Sequence, residues 1–362
     1  MNDLVLNRWQ TRALIIGAIA AVLSITGAFI SHAQFFQSYL FAWLFWLGLS
    51  LGALVVVMMQ NLTGGWWGLA VRNLCLAAIM TLPLLVLLFV PLLFGLHDIY
   101  AWSNGIALGI HKRAYLNVPF FIGRAGFYFA VLLVFAFALR RRVSEYPIAL
   151  SAGGLISYVL CMNFASTDWV MSLDPEWYST VFVIVLMAGQ FVAALSLTTA
   201  LLCAFGDTHR APAKAFHDLG NMLLAFVIFW IYVSFSQLLI IWSGNLPKEI
   251  SWYLPRSRGG WQWVALVLVL GEFLLPFFLL LSREAKRTPR RLAQICICIL
   301  ALNVVNNFWL VAPTFHPRGF YVHWLDVAEL IAIGGFWFAL FLHLLKQRPL
   351  IAPELLEVKR HG

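Results

Sequence analysis

From Ala13 to Ile30 the chain carries no charged side chain, and nine further stretches of similar length are almost as apolar. About 20 apolar residues are what a helix needs to cross a hydrocarbon core of about 30 Å. In lipid, only structures that satisfy their backbone N–H and C=O groups internally are stable. The repeated pattern therefore predicts an all-α, polytopic membrane protein. Ten spans are expected, over 12–31, 38–60, 73–95, 117–138, 147–166, 178–204, 218–242, 261–282, 291–312 and 324–346. Connections are short, so one integral membrane domain fills residues 1–362. The composition agrees: 62% hydrophobic and 11% charged residues do not suit a soluble domain of this size. The first run reads as a spanning helix, because no small-x-small cleavage pattern leads from it into a polar chain.

Charge orients the bundle. The two ends and the even-numbered connections hold 17 of the 24 Lys and Arg, among them Arg142, Arg210, Lys359 and Arg360. The other side holds Lys112, Arg113, Arg124, Lys248, Arg256, Arg258 and Arg318. Basic residues collect on the cytoplasmic side, so both termini are expected in the cytoplasm. The net charge of +9 then reports topology rather than nucleic-acid binding. The five cysteines lie in or beside apolar runs, with no haem-attachment, iron–sulfur or metal spacing.

The stretch Asp168–Thr180 joins the two middle spans and holds three of the fifteen acidic residues. It reads as a helix start on the outer face, with Asp174 as cap, Pro175 in the first turn and Glu176 at the positive end of the dipole. Trp169, Trp177 and Tyr178 are residue types that favour a membrane boundary. A faint repeat places Ser38, Phe41, Gly48, Ala53 and Leu54 in register with Ser179, Phe182, Gly189, Ala194 and Leu195. It suggests two four-helix bundles, 38–166 and 178–312, flanked by the first and tenth spans. Gly48 and Gly52, four residues apart, would allow a close helix contact.

Ionisable groups at membrane depth are costly and point to function. Glu272 falls near the middle of the eighth span. Asn303, Asn306 and Asn307 share a face of the ninth at similar depth. With Gln190 and Gln237 they form a candidate proton path; the competing reading is hydrogen-bonded glue between helices. Nearer the outer face stand His323, Asp326 and Glu329 on the tenth span, Arg124 on the fourth, and Asp168 and Asp174 in the linker. Arg124 needs a carboxylate there, from the tenth span or from the linker. This set is a candidate quinol site, since a His with a carboxylate can accept and steady a hydroxyl proton, or else an outer-face polar cluster. Trp102, Trp252, Arg256, Arg258, Trp261 and Arg318 make the outer loops a candidate docking face.

Ser172-Leu173-Asp174-Pro175-Glu176-Trp177-Tyr178-Ser179-Thr180 and the apolar helix after it resemble the second NrfD-like membrane subunit of bacterial alternative complex III. So do Ser38-Tyr39-Leu40-Phe41-Ala42-Trp43-Leu44-Phe45-Trp46-Leu47-Gly48 and Leu62-Thr63-Gly64-Gly65-Trp66-Trp67-Gly68. The ten-span, two-bundle layout extends the resemblance along the chain. It implies a subunit of a quinol:electron-acceptor (cytochrome c) oxidoreductase that contributes quinol binding, a proton path, or both. The expected partners are a sister NrfD-like membrane subunit, a periplasmic iron–sulfur subunit and c-type cytochromes. Haem c and iron–sulfur clusters would belong to those partners. The chain itself would hold no redox cofactor or metal, and would meet quinol, such as menaquinol, and the bilayer. A secondary transporter or a structural scaffold for redox subunits remains the alternative. The interrupted helix pairs that mark transporter sites are not evident, although Pro83, Pro91 and Pro276 do fall inside spans.

Overall fold

The computed structural model describes residues 3–105, 109–141, 147–206 and 213–350. Arg142, Arg210, Lys359 and Arg360 lie outside the described residues. Ten helices are long and apolar enough to cross a membrane: α1 Val5–Ile30, α2 His32–Thr63, α3 Trp66–Phe94, α4 Val118–Arg140, α5 Pro147–Leu173, α6 Phe182–Phe205, α7 Ala213–Gly244, α8 Trp261–Leu281, α9 Pro289–Phe315 and α10 Trp324–Leu345. Among the described residues there is no strand. The ends of α1 and α10 meet on one face, where Lys346 donates to Asn7 and Gln10. That is the basic face; the Asp168–Thr180 stretch lies on the opposite, linker face.

The third span starts earlier than hydropathy suggested. Gly64 and Gly65 take φ of +69° and +96°, a left-handed turn open to glycine, and α3 begins immediately after them. Arg72, read from sequence as a loop residue, is therefore inside α3, where it donates to Gln60 and to Asn61 Oδ1.

Proline shapes three helices. Pro83 and Pro91 have no N–H for the ladder, and α3 continues past Ile79 as short turns, Leu82–Leu87 and Val90–Phe94. Two of its carbonyls are taken by α2 instead: Trp43 Nε1 donates to Leu85 at 2.9 Å and the Tyr39 hydroxyl to Leu88 at 2.8 Å. In α8, the ring of Pro276 excludes a normal bond to the carbonyl four residues back, which is that of Glu272. The chain widens there into a π turn over Val269–Leu274. In α9, Pro313 leaves the Trp309 carbonyl without its usual donor.

The core forms around α2, whose central residues from Leu47 to Met58 are buried. It packs on α3, α5, α6, α9 and α10. A Cβ at Gly52 would collide with the Gln190 backbone, and one at Gly48 would press on the Gln190 side chain. The small-residue pair thus lets α2 and α6 approach closely. A second close approach joins α1 to α10, Gly17 lying against Gly335.

The linker differs from its sequence reading. Asp174 does not cap a helix; α6 begins only at Phe182, after Val181. The Asp174 side chain instead accepts the Glu176 backbone N–H at 3.3 Å and the Ser251 hydroxyl at 2.8 Å. Local side-chain bonding of this kind competes with helix. Trp169 and Trp177 are buried rather than interfacial, while Tyr178 is exposed. Trp177 stacks on Trp252 with ring centroids 4.4 Å apart. Lys112 donates to the Pro175 carbonyl at 2.9 Å, and Glu176 faces Lys112 at 3.2 Å and Lys248 at 3.8 Å. The stretch is a clasp between the α3–α4 and α7–α8 connections.

Candidate functional site: a buried carboxyl and its asparagines

The π turn sets Glu272 toward α9. Asn303 Nδ2 donates to Glu272 Oε1 at 3.1 Å and lies 3.4 Å from the Gly189 carbonyl of α6. Asn307 Nδ2 then donates to Asn303 Oδ1 at 3.1 Å and to its backbone carbonyl at 2.9 Å. Glu272 is 1% exposed, and its second oxygen, Oε2, has no hydrogen-bond partner. No ion pair reaches it among the described residues. A carboxyl so placed is costly to ionise and has one oxygen free for proton exchange.

Beside this trio, a cavity of about 30 Å³ is lined by Gly48 of α2, Gly189 and Gln190 of α6, and Asn303, Asn306 and Asn307 of α9. It is large enough for a water molecule with several polar partners. Gln190 Oε1 accepts from the Tyr158 hydroxyl at 2.6 Å. Gln237 is not in this group. It lines a larger cavity of about 380 Å³ between α6, α7, α8 and α9, and Asn306 lines both. One turn from Glu272 toward the basic face, Pro276, Arg291, Gln294 and Cys298 border a third cavity of about 200 Å³.

The six outer-face residues do not form one site. Arg124 makes a two-toothed bond with Asp168, Nε to Oδ2 at 2.9 Å and Nη2 to Oδ1 at 2.7 Å. The Tyr128 hydroxyl adds 2.8 Å to Oδ2, and Tyr115 stacks on the guanidinium at 3.8 Å. The linker end of α5, not α10, thus supplies the partner for Arg124. Burial, then the Asp168 charge, pushes the Tyr115 phenol up to about 12. Asp174 belongs to the clasp.

His323 and Asp326 cap α10 together. His323 Nδ1 accepts the Leu325 N–H at 3.2 Å, and Asp326 Oδ2 accepts the His323 N–H at 2.8 Å. Asp326 Oδ1 also takes the Ser38 hydroxyl at 2.6 Å. The same carboxylate is the acidic group on an apolar cleft of about 560 Å³ formed by α2, α8, α9 and α10. Glu329, one turn on, is 2% exposed with Oε1 unpartnered. His32 pairs with Asp98 at 3.0 Å.

The docking-face expectation changes as well. Trp102, Trp252, Arg256 and Trp261 are buried, and only Arg258 and Arg318 of that set are exposed. Arg256 fills the gap that Pro313 opens in α9. It donates from Nε to the Trp309 carbonyl at 3.2 Å, from Nη2 to the Leu310 carbonyl at 2.6 Å and from Nη1 to the Trp252 carbonyl at 2.7 Å. Its guanidinium lies 3.4 Å from the centre of the Trp252 ring. Burial pulls its pKa down; Tyr253 and Asp174 oppose the shift. The sequence reading ends the ninth span at residue 312, just before Pro313; the structure extends α9 to Phe315, which puts the proline inside the helix and creates the need for an outside donor.

No family model and no curated protein matches the chain.

Proposed function

We propose that this chain is a membrane subunit of a quinol-oxidising respiratory complex, and that Glu272 carries protons through its α6–α9 half. The observation that carries the reading is the buried Glu272 carboxyl, tethered to Asn303 through one oxygen and unpartnered at the other. An intramembrane acid without a cation is poorly explained as an ion-pair strut. It suits a relay that takes a proton from one side and passes it to the other. The cavity bordered by Arg291, Gln294 and Cys298 lies toward the basic face, and the asparagine-lined cavity lies toward the linker face. Asn303 holds the carboxyl, and Asn307 orients Asn303. Asn306 and Gln190 offer amide groups to water in the inner cavity.

The resemblance of the clasp and of α2 to the NrfD-like subunits of alternative complex III supplies the respiratory context. In that setting the basic face is cytoplasmic. The redox centres then sit in an iron–sulfur subunit and c-type cytochromes, beside a sister membrane subunit. The Asp326 cleft supports quinol binding: its walls are apolar, and its carboxylate can accept a hydroxyl proton.

Glu272→Gln tests the reading in the complex as purified from membranes. Gln keeps the size and a hydrogen bond to Asn303 but cannot release a proton as Glu does. The variant complex is expected to assemble with its haems, and its rate of quinol oxidation with coupled proton release should fall at least about tenfold. A parental rate of coupled turnover would make Glu272 structural. Purification of the chain without haem or iron–sulfur subunits would remove the respiratory reading.

A further inference from the structure

The basic-face halves of α8 and α9 leave a groove between them that opens sideways. From Trp261 to the π turn α8 runs against α9; beyond Pro276 it leans onto α7 instead. A proline with a π turn before it is a usual cause of such a bend. The separation leaves the cavity of about 200 Å³. Buried Pro276 and Ile295 form its floor, and Leu275 and Leu279 stand on its rim with their side chains exposed outward.

The groove is polar at one end only. Its α9 wall runs from Arg291 through Gln294 to Cys298, a rise of about 10 Å. Arg291 and Gln294 are exposed at the basic-face end. Beside them the α8–α9 connection carries Arg283, Arg287 and Arg290, all exposed, against a single carboxylate, Glu284. Arg291 Nη1 donates to Glu284 Oε1 at 2.7 Å. That exposed pair is weak and leaves most of the guanidinium donors free. Arg283, Arg287 and Arg290 have no carboxylate partner among the described residues. Lys286, the other cation of the connection, is turned inward, where it is buried and donates to Asn221 at 2.7 Å.

Charge alone would follow from topology, since basic residues gather on this face. The groove adds what topology does not require: an apolar channel that begins where the arginines end. A free anion would use the arginines and ignore the channel. A neutral lipid would fill the channel and leave the arginines unanswered. An amphiphile with an anionic head meets both.

We propose that this groove binds an anionic phospholipid of the basic-face leaflet. Arg291 and Gln294 hold its phosphate, the neighbouring arginines add to the positive field, and one acyl chain lies along Leu279 and Leu275 toward Cys298. Basic pockets between spanning helices suit such headgroups. The seated chain closes the sideways mouth, so that the cavity opens only at the headgroup end. Such a site is independent of the respiratory reading and of any role of Glu272.

The test is a lipid titration of the delipidated protein in neutral detergent, followed by native mass spectrometry, with phosphatidylglycerol and phosphatidylcholine of the same chain length. Phosphatidylglycerol is expected to bind as a discrete adduct, about tenfold more tightly than phosphatidylcholine. Arg291→Gln should weaken it about fivefold, the worth of one basic residue beside an anionic headgroup. Leu279→Trp, which fills the groove from its rim, should abolish the adduct. Both positions are exposed and lie on opposite walls, so a folding fault in one variant leaves the other to decide. The double variant Arg8→Gln, Arg12→Gln, on the same face but on α1, which packs on α10 and α2, should bind like the parent. Equal affinity for the two lipids, parental binding in Arg291→Gln or Leu279→Trp, or an equal loss in the α1 variant would each overturn the proposal. Displacement by glycerol 3-phosphate at the concentration of the lipid would also overturn it, by showing a site for free anions.

Discussion

The Nε of Arg256 donates at 3.2 Å to the carbonyl of Trp309, the group left without a donor because residue 313 is proline. A connection residue thereby completes the hydrogen bonding of a spanning helix six residues before its end at Phe315. The same side chain closes the Leu310 carbonyl and stacks on Trp252. One cation joins the α7–α8 connection to α9.

Arg256→Met should therefore destabilise the protein on the order of 3 kcal/mol, because buried carbonyls lose their donors at about 1–3 kcal/mol each. Arg256→Lys should recover little of this, since an ammonium cannot present the planar fork that spans two carbonyls. Thermal unfolding in detergent checks both. A Lys variant as stable as the parent would show that charge rather than geometry matters.

Asp168→Asn should cost about 3–5 kcal/mol, because it leaves the Arg124 guanidinium buried without its carboxylate. The double variant Arg124→Met, Asp168→Leu should be milder than either single one, since it removes both desolvated charges. Unfolding midpoints of the three variants decide this. Additive losses would place the effect in packing rather than in the pair.

His316 sits at the linker-face end of α9. Burial lowers its pKa from the ordinary 6.5; Asp326 opposes the shift and His323 adds to it. A base whose folded pKa is depressed stays neutral on folding. Its contribution is complete above pH 6.5 and is lost as pH falls through the folded value, where the unfolded chain binds more protons. The melting temperature should drop on acidification below about pH 6.5. His316→Gln should flatten that part of the profile. An unchanged profile would assign the acid sensitivity to other groups.

Orientation is checked at Glu176, which is half-exposed on the clasp. The excess of Lys and Arg on the other face predicts that a cysteine placed there reacts with an impermeant thiol reagent in intact cells. Labelling only after the inner membrane is opened would reverse the topology.

The asparagine face of α9 was legible because spacing of three and four residues brings side chains together on any helix. That Glu272 meets Asn303 was suggested by equal depth alone. The contact itself depends on how α8 and α9 pack and on the π turn at Pro276. Gln237 was grouped with these residues on depth, yet it faces a different cavity, because depth carries no azimuth. The outer-face set fell apart for the same reason. Arg124, Asp174 and Asp326 share a level but lie against different helices. The aromatic and arginine residues of the outer loops were read as exposed because connections usually are. Instead, Arg256 is drawn inward by the Trp309 carbonyl that Pro313 leaves free and by the neighbouring Leu310 carbonyl, and Trp252 is buried against its guanidinium.

By itself the sequence determined that this chain is a bundle of ten spanning helices, because hydrocarbon tolerates few other ways to bury so much apolar length with its backbone bonded. It also determined where proline would break those helices. Tertiary structure alone decided which broken carbonyl met which donor, which carboxyl was left with a free oxygen, and where cavities remained. Those outcomes depend on the rotation of each helix about its axis, set by side-chain packing across the bundle, and hydropathy along one helix does not encode that rotation.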